Sequence, residues 1–214
     1  MTNPAITGAI LAGGPGTGMP GVLKPLLRMD GETLIERQVR RMRELCAEII
    51  VVTNAPKPLF AVLDADVRII TDYFPDSGPL GGMHAALRLA KHPWVWIAGS
   101  DMPFVSPEAA SRLRLGRTEP CRAAIPLLDG QPVVLHGLYD ARCAETAGRL
   151  LAGGERGLEA FLGRLRWQGV PADAWLDEAG MRHFAYKIDK QADYERAQAL
   201  LAQERTSPKE ETAR

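Results

Sequence analysis

Along the first half of the chain, short unbroken apolar runs alternate with amphipathic stretches. Ile6–Leu11 is apolar enough to be a buried strand and is closed by Gly13 and Gly14. After an Asp-Gly turn in "MDGET", residues Leu34, Ile35, Val39, Met42 and Leu45 recur at helical spacing from Thr33 onward. Arg37, Arg40, Arg41, Arg43 and Glu44 take the opposite face. Ile49–Thr53 predicts a second strand, Leu59–Leu63 a short helix, and Val67–Thr71 a third strand. "FPDSGPLGG" reads as a loop and Met83–Lys91 as the next helix. Trp94–Ala98 predicts a fourth strand, with Trp94 and Trp96 on one face and Val95 on the other. Pro107–Leu115 is a helix with proline in its first turn.

Strands that are apolar throughout and alternate with helices predict an α/β protein with a mostly parallel sheet covered on both faces. The second half is less regular. Ala123–Leu128 and Val133–Leu138 read as strands joined by a "DGQP" hairpin turn. Ala141–Ala152 and Gly157–Leu165 read as helices, Phe184–Ile188 as a last strand and Ala192–Gln203 as a last helix. The polar stretch from 205 to 214 has no apolar face and is expected to be a disordered tail on a single domain of residues 1–204.

Composition narrows the function classes. The 214 residues carry 26 basic and 26 acidic side chains, a formal net charge of zero, which gives no basic field for nucleic acid. The apolar runs are too short to span a bilayer, and the N-terminus lacks the basic region and long apolar core of a signal peptide. Cys46, Cys121 and Cys143 are far apart and form no CxxC pair, so they are read as reduced. A cytoplasmic protein without membrane or nucleic-acid partners is expected. His84, His92, His136 and His183 have no ligand spacing and are read as surface or packing residues.

In an open parallel sheet, ligands bind beyond the carboxyl ends of the strands. There the sequence gathers one cation, one amide and two carboxylates: Lys24 in the loop after the first strand, then Asn54, Asp72 and Asp101 after the next three. Gly13, Gly14, Gly16 and Gly18 leave room for backbone N–H groups to face an anion. Lys24 adds a compact positive charge, and Asp101 is a candidate for holding Mg²⁺ against phosphates. The competing reading of the same residues is a loose turn, a solvated lysine and turn-capping acids. "GTGMPG" formally matches the dinucleotide fingerprint, but Pro20 stands where the helix would run and no acid ends the second strand. A P-loop is excluded because Leu23 and Pro25 flank Lys24.

Together, "LAGGPGTGMPGVLK", "GPLGGM" (78–83) and "SDMPFV" (100–105) resemble the three signatures of the molybdenum cofactor guanylyltransferases and their nucleotidyltransferase relatives. The resemblance covers the first half of the chain. In outline it extends to "GGERGLEAFL" and "YKIDKQADYERA". It implies a three-layer Rossmann-like nucleotidyltransferase fold and transfer of GMP from GTP to the phosphate of molybdenum-bound molybdopterin, with Mg²⁺ and release of pyrophosphate. By the same resemblance Leu11, Ala12 and Gly13 would contact the guanine nucleotide and Lys24 its phosphates. Asn54, Asp72 and Asp101 would complete the site, with Lys24 and Asp101 catalytic and Asp101 on the metal. Molybdoenzymes or their chaperones would receive the product.

Three positions depart from that pattern. Gly18 stands where the family carries an arginine, Leu23 where it usually carries an acid, and Lys187 and Asp189 where it carries asparagines. Arg28 and Lys187 are the candidates to supply the missing cation, and Arg156 is a candidate to meet the pterin phosphate. The rival functions are a molybdopterin cytidylyltransferase, which would favour glutamine at Met102, and a sugar-phosphate nucleotidylyltransferase, whose glycine loop is longer. An accessory protein that binds nucleotide or cofactor without turnover is the rival of another class.

Overall fold

The computed structural model describes residues 5–13, 18–178 and 180–206. In chain order these form β1 (Ile6–Leu11), β2 (Arg28–Met29), β3 (Glu32–Thr33), α1 (Leu34–Met42), β4 (Glu48–Val52), β5 (Arg68–Ile70), α2 (Gly78–Leu89) and β6 (Trp94–Gly99). They continue with α3 (Pro107–Gly116), β7 (Ala123–Leu128), β8 (Gln131–Pro132), β9 (Leu138–Asp140), α4 (Cys143–Ala152), α5 (Leu158–Leu162), β10 (Trp167–Pro171) and α6 (Gln191–Thr206). The main sheet has the order β10-β7-β9-β6-β1-β4-β5, with β8 paired to β7. β1 runs parallel to both β4 and β6, with Leu11 opposite Val52 on one side and Gly99 on the other. Among the described residues of the main sheet, β9 and the short β8 run antiparallel to their neighbours, and β2 and β3 form a separate antiparallel pair. Because α1 leads one way from β1 and α2 returns to its other side, the order reverses beside β1. That is where a crevice opens at the carboxyl edge of such a sheet.

Alternate residues of β1 feed two cores. Ile6 and Ile10 join Trp94 and Trp96 beneath α1 and α3, with Phe184 and Trp175. Ala9 and Leu11 join Val95 beneath α2, α4 and α5. The helices therefore cover both faces, and the alternation of Trp94, Val95 and Trp96 is as expected. α1 starts where its sequence directs: Thr33 Oγ1 accepts the Glu36 N–H and Glu36 Oε2 accepts the Thr33 N–H at 2.7 Å, a reciprocal cap. A third, smaller cluster packs α6 (Ala197, Leu200, Leu201) on Met19, Met29, Leu34, Phe104 and Ile188.

Several expectations are corrected. The "GPLGG" stretch is no loop: α2 begins at Gly78, with Pro79 in its first turn, and its glycines let the helix lie close to the sheet. At Gly82 a Cβ would stand 3.3 Å from Leu11 Cδ2. The hairpin partner of β7 is only Gln131–Pro132, because Pro132 interrupts the ladder, and the chain pairs again as β9. Residues 184–188 form no strand; Phe184 and Ile188 are buried instead in two different clusters. β10 was masked in sequence by Gly169 and Pro171, and Gly169 lies against Leu127, a contact with no room for a side chain. α4 starts at Cys143, α5 stops at Leu162, and α6 extends to Thr206. Gly14, Gly16 and residues 207–214 of the expected tail lie outside the described residues. The three cysteines are free, and no helix among the described residues is long and apolar enough to cross a membrane.

Two buried polar side chains set the carboxyl edge. Gln38, on the core face of α1, donates through Nε2 to the carbonyls of Gly99 and Met102, both at 2.8 Å, and so pins the turn that carries Asp101. Gln38→Leu takes the side-chain donor from the Met102 carbonyl and leaves the Gly99 carbonyl only the Met102 N–H at 3.2 Å, and should cost about 1–2 kcal/mol in urea unfolding. A loss under about 0.5 kcal/mol would remove that role for Gln38. His136 accepts the Ser106 N–H at the start of α3 through Nε2, at 3.1 Å. Burial pushes its imidazole down to about 4 from 6.5. Between those values the unfolded chain takes up a proton that the folded chain refuses. Its contribution is therefore whole above pH 6.5 and lost as pH falls towards 4. His136→Gln should flatten the fall of unfolding free energy between pH 7 and 5, and an unchanged slope would contradict this.

Candidate active site

The site grows from the carboxyl ends of four parallel strands. β1 delivers Leu11, Ala12 and Gly13 to the crevice. Leu11 is buried, and the Ala12 N–H continues the ladder to the Val52 carbonyl at 2.8 Å. A Cβ on Gly13 would meet nothing within 4 Å among the described residues. The chain returns through Met19, buried against α6, and reaches Lys24 at the start of a short 3₁₀ turn. The Lys24 side chain is 13% exposed, with its ammonium 3.5 Å from Asp189 Oδ1.

β6 delivers Asp101. Burial raises its carboxyl above the usual aspartate value, against the opposing pull of the Lys187 and Lys24 ammonium groups and with a further push from Asp189. Lys24, Asp101, Lys187 and Asp189 thus form one electrostatic cluster, two cations and two carboxylates, on one side of the β1 end. On the other side, β4 and β5 bring Asn54 and Asp72 together. Asn54 Nδ2 donates to Asp72 Oδ2 at 3.3 Å, and Asp72 Oδ1 accepts the Phe74 N–H at 3.0 Å. Asp72 Oδ2 also lies 3.5 Å from where a Cβ on Gly81 would be, against the first turns of α2. Asp72 is therefore both a turn cap and a group at the crevice rim.

The remaining candidates separate. Arg28 does not turn to the site: its guanidinium donates to the Gly31 carbonyl at 3.0 Å within the β2–β3 turn. Lys187 is next to Ile188, whose N–H donates to the Asp101 carbonyl, and its charge acts on the Asp101 carboxyl. Arg156 reaches α2 instead, with Nε 3.4 Å from Ser77 Oγ, next to the helix start. Met102 is fully buried in the core, so its side chain does not read a base.

Sequence reasoning missed Gln38, although its signal was present: four residues after Leu34 and three after Ile35, it falls on the apolar face of α1. It also missed Asp193, whose carboxylate accepts the N–H groups of Asp189 and Lys190, each at 2.9 Å. Nothing in the sequence pairs Gly18 with Asp189, yet the two touch. A Cβ at position 18 would overlap the Asp189 carbonyl oxygen and stand 3.0 Å from its carbon. A side chain at 18 is excluded by the course of the C-terminal segment.

Chemically, the edge offers open backbone, an enclosed ammonium, a desolvated carboxylate and a second ammonium. Such a set can bind and polarise a phosphate chain. Comparison with known proteins gives the family. Residues 8–170 match the family described as MobA-like NTP transferase domain. A molybdenum cofactor guanylyltransferase of Burkholderia orbicola is 33% identical over 171 residues, covering 76% of this chain and 83% of that protein. One of Desulfosudis oleivorans is 30% identical over 162 residues, 76% and 79% of the two chains. Among solved structures, molybdopterin-guanine dinucleotide biosynthesis protein A of Archaeoglobus fulgidus superposes with a TM-score of 0.79 at 27% identity, over 92% of this chain and 99% of that one. The chain belongs to the MobA-like NTP transferase family of nucleotidyltransferases.

Proposed function

We propose that this nucleotidyltransferase moves GMP from GTP to the terminal phosphate of molybdenum-bound molybdopterin and releases pyrophosphate. The observation that carries the reading is the gathering of the carboxyl end of β1, Lys24 and Asp101 at the reversal point of the sheet. The guanylyltransferase names of the relatives support the choice of donor and acceptor.

In this reading Leu11, Ala12 and Gly13 form the floor under the nucleotide, and Asn54 and Asp72 border it on the β4–β5 side. An oxygen of the acceptor phosphate attacks the α-phosphorus in line. One P–O bond forms, the bond to the β-phosphate bridging oxygen breaks, and the electron pair leaves with pyrophosphate. Lys24 stabilises the charge that builds on the phosphate oxygens, and its enclosure makes that charge act at full strength. Positioning and electrostatics suffice for transfer of this kind.

Family members generally use a divalent metal, for which we take Mg²⁺. Among the described residues no group of three or more His, Cys, Asp and Glu side chains forms a metal cage. Mg²⁺ is commonly held by one or two carboxylates together with substrate phosphates and water, and the desolvated Asp101 carboxylate is a donor of that kind. Asp101 would hold it, and it would supply charge neutralisation at the phosphates. The product would pass to molybdoenzymes or their chaperones.

The first test is the thermal midpoint of the protein with Mg²⁺ and GTP, CTP or ATP, since a ligand of the folded state raises it by mass action. A rise selective for GTP, and pyrophosphate release only when molybdopterin is added, are expected. Lys24→Ala and Asp101→Asn should each lower kcat/KM about 100-fold or more. A rise with CTP alone would transfer the reading to a cytidylyltransferase. No rise with any nucleotide would overturn it in favour of an accessory protein.

A further inference from the structure

The segment from Lys187 to Lys190 crosses the carboxyl edge and is pinned at several points. The Ile188 N–H donates to the Asp101 carbonyl at 2.8 Å, and the Ile188 side chain is fully buried beside Met19 and Phe104. Asp193 at the start of α6 accepts the next two N–H groups, which hold its carboxyl below the usual aspartate value. The Asp189 carbonyl rests on Gly18. With the backbone fixed and Ile188 turned inward, the flanking side chains of Lys187 and Asp189 are exposed at the site. Asp189 is 73% exposed at its side chain while its partner Lys24 is 13% exposed.

We propose that Lys187–Asp189 is a charge-exchange strap of the phosphate site: Asp189 holds the enclosed ammonium of Lys24, and a polyphosphate displaces that carboxylate and takes the ammonium groups of both Lys24 and Lys187. This rests on the reading of the crevice as a nucleotide site. An enclosed ammonium needs an anionic partner, which Asp189 supplies. Because that carboxylate is itself largely in water, releasing it costs only about fivefold or less in binding. A phosphate chain offers Lys24 several anionic oxygens in exchange and reaches a second cation that Asp189 does not. The exchange needs only a rotation of the Asp189 side chain, since the pins on Ile188 and Asp193 keep the backbone in place. Lys187 acts on the same Asp101 carboxyl as Lys24 does, and it precedes Ile188, whose N–H donates to the Asp101 carbonyl.

Calorimetric titration of the full chain with inorganic tripolyphosphate and with GTP, both with Mg²⁺, tests the exchange. Lys187→Gln should weaken both probes about tenfold or more, the loss of one charged hydrogen bond, while Lys187→Arg keeps most of the affinity. Asp189→Asn should tighten both about threefold, since the competitor for Lys24 is gone. Both side chains are exposed, so unchanged thermal midpoints will show that the variants fold.

Unchanged affinity in Lys187→Gln, or weaker binding in Asp189→Asn, would overturn the strap while selective GTP binding by the wild type leaves the guanylyltransferase reading intact. If the wild type binds tripolyphosphate and all nucleotides alike and the variants follow the expected pattern, the strap stands and the guanine reading falls. If the wild type binds neither probe, both are wrong.

Discussion

A parallel strand buried on both faces can keep charged side chains only at its ends, and β1 is such a strand. All six of its residues are buried, and its backbone is paired on both sides. The one polar side chain within it, Thr7, satisfies its hydroxyl by donating to Glu48 Oε2 at 2.7 Å. At that amino edge Glu48 also pairs with Arg68 and accepts the Lys91 N–H, and these bonds hold its carboxyl below the usual value despite burial. Those charges satisfy one another. At the carboxyl edge the balance differs: burial raises Asp101, and the cations around it do not fully compensate. The same strand therefore separates a satisfied ion pair from a desolvated carboxylate among cations.

Much of this was legible in the sequence because burial writes a pattern. β1, β4, β6 and β7 are apolar runs long enough to have no other interpretation in an alternating chain, and α1 carries both its stripe and its cap. The candidate site residues fell at the ends of those runs, and the fold rule for open sheets turned that into a place. Their joint function was not written there in the same way. Asn54 and Asp72 proved to be hydrogen-bonded to each other, which depends on β4 and β5 being neighbours in register.

The errors share a cause. "GPLGG" read as a loop because propensity counts glycine and proline against helix, whereas here the proline sits in the first turn and the glycines meet Leu11 and Asp72 side chains. β10 was lost because its glycine and proline belong to an edge strand, where both are tolerated. Residues 184–188 alternate in a strand-like way but spend their apolar side chains on two separate clusters, so no ladder forms. In each case tertiary packing reversed a local preference. Gly18 is the furthest instance, since its neighbour lies at the other end of the chain.

The contact between Gly18 and the Asp189 carbonyl also has a genetic meaning. A substitution that adds a side chain at 18 is viable only in a background where the segment before α6 takes another path, and a rerouted segment relaxes the demand for glycine. The two positions therefore constrain each other. Recombination that joins the N-terminal loop of one relative to the C-terminal helix of another should yield stable hybrids only when both halves come from the same class.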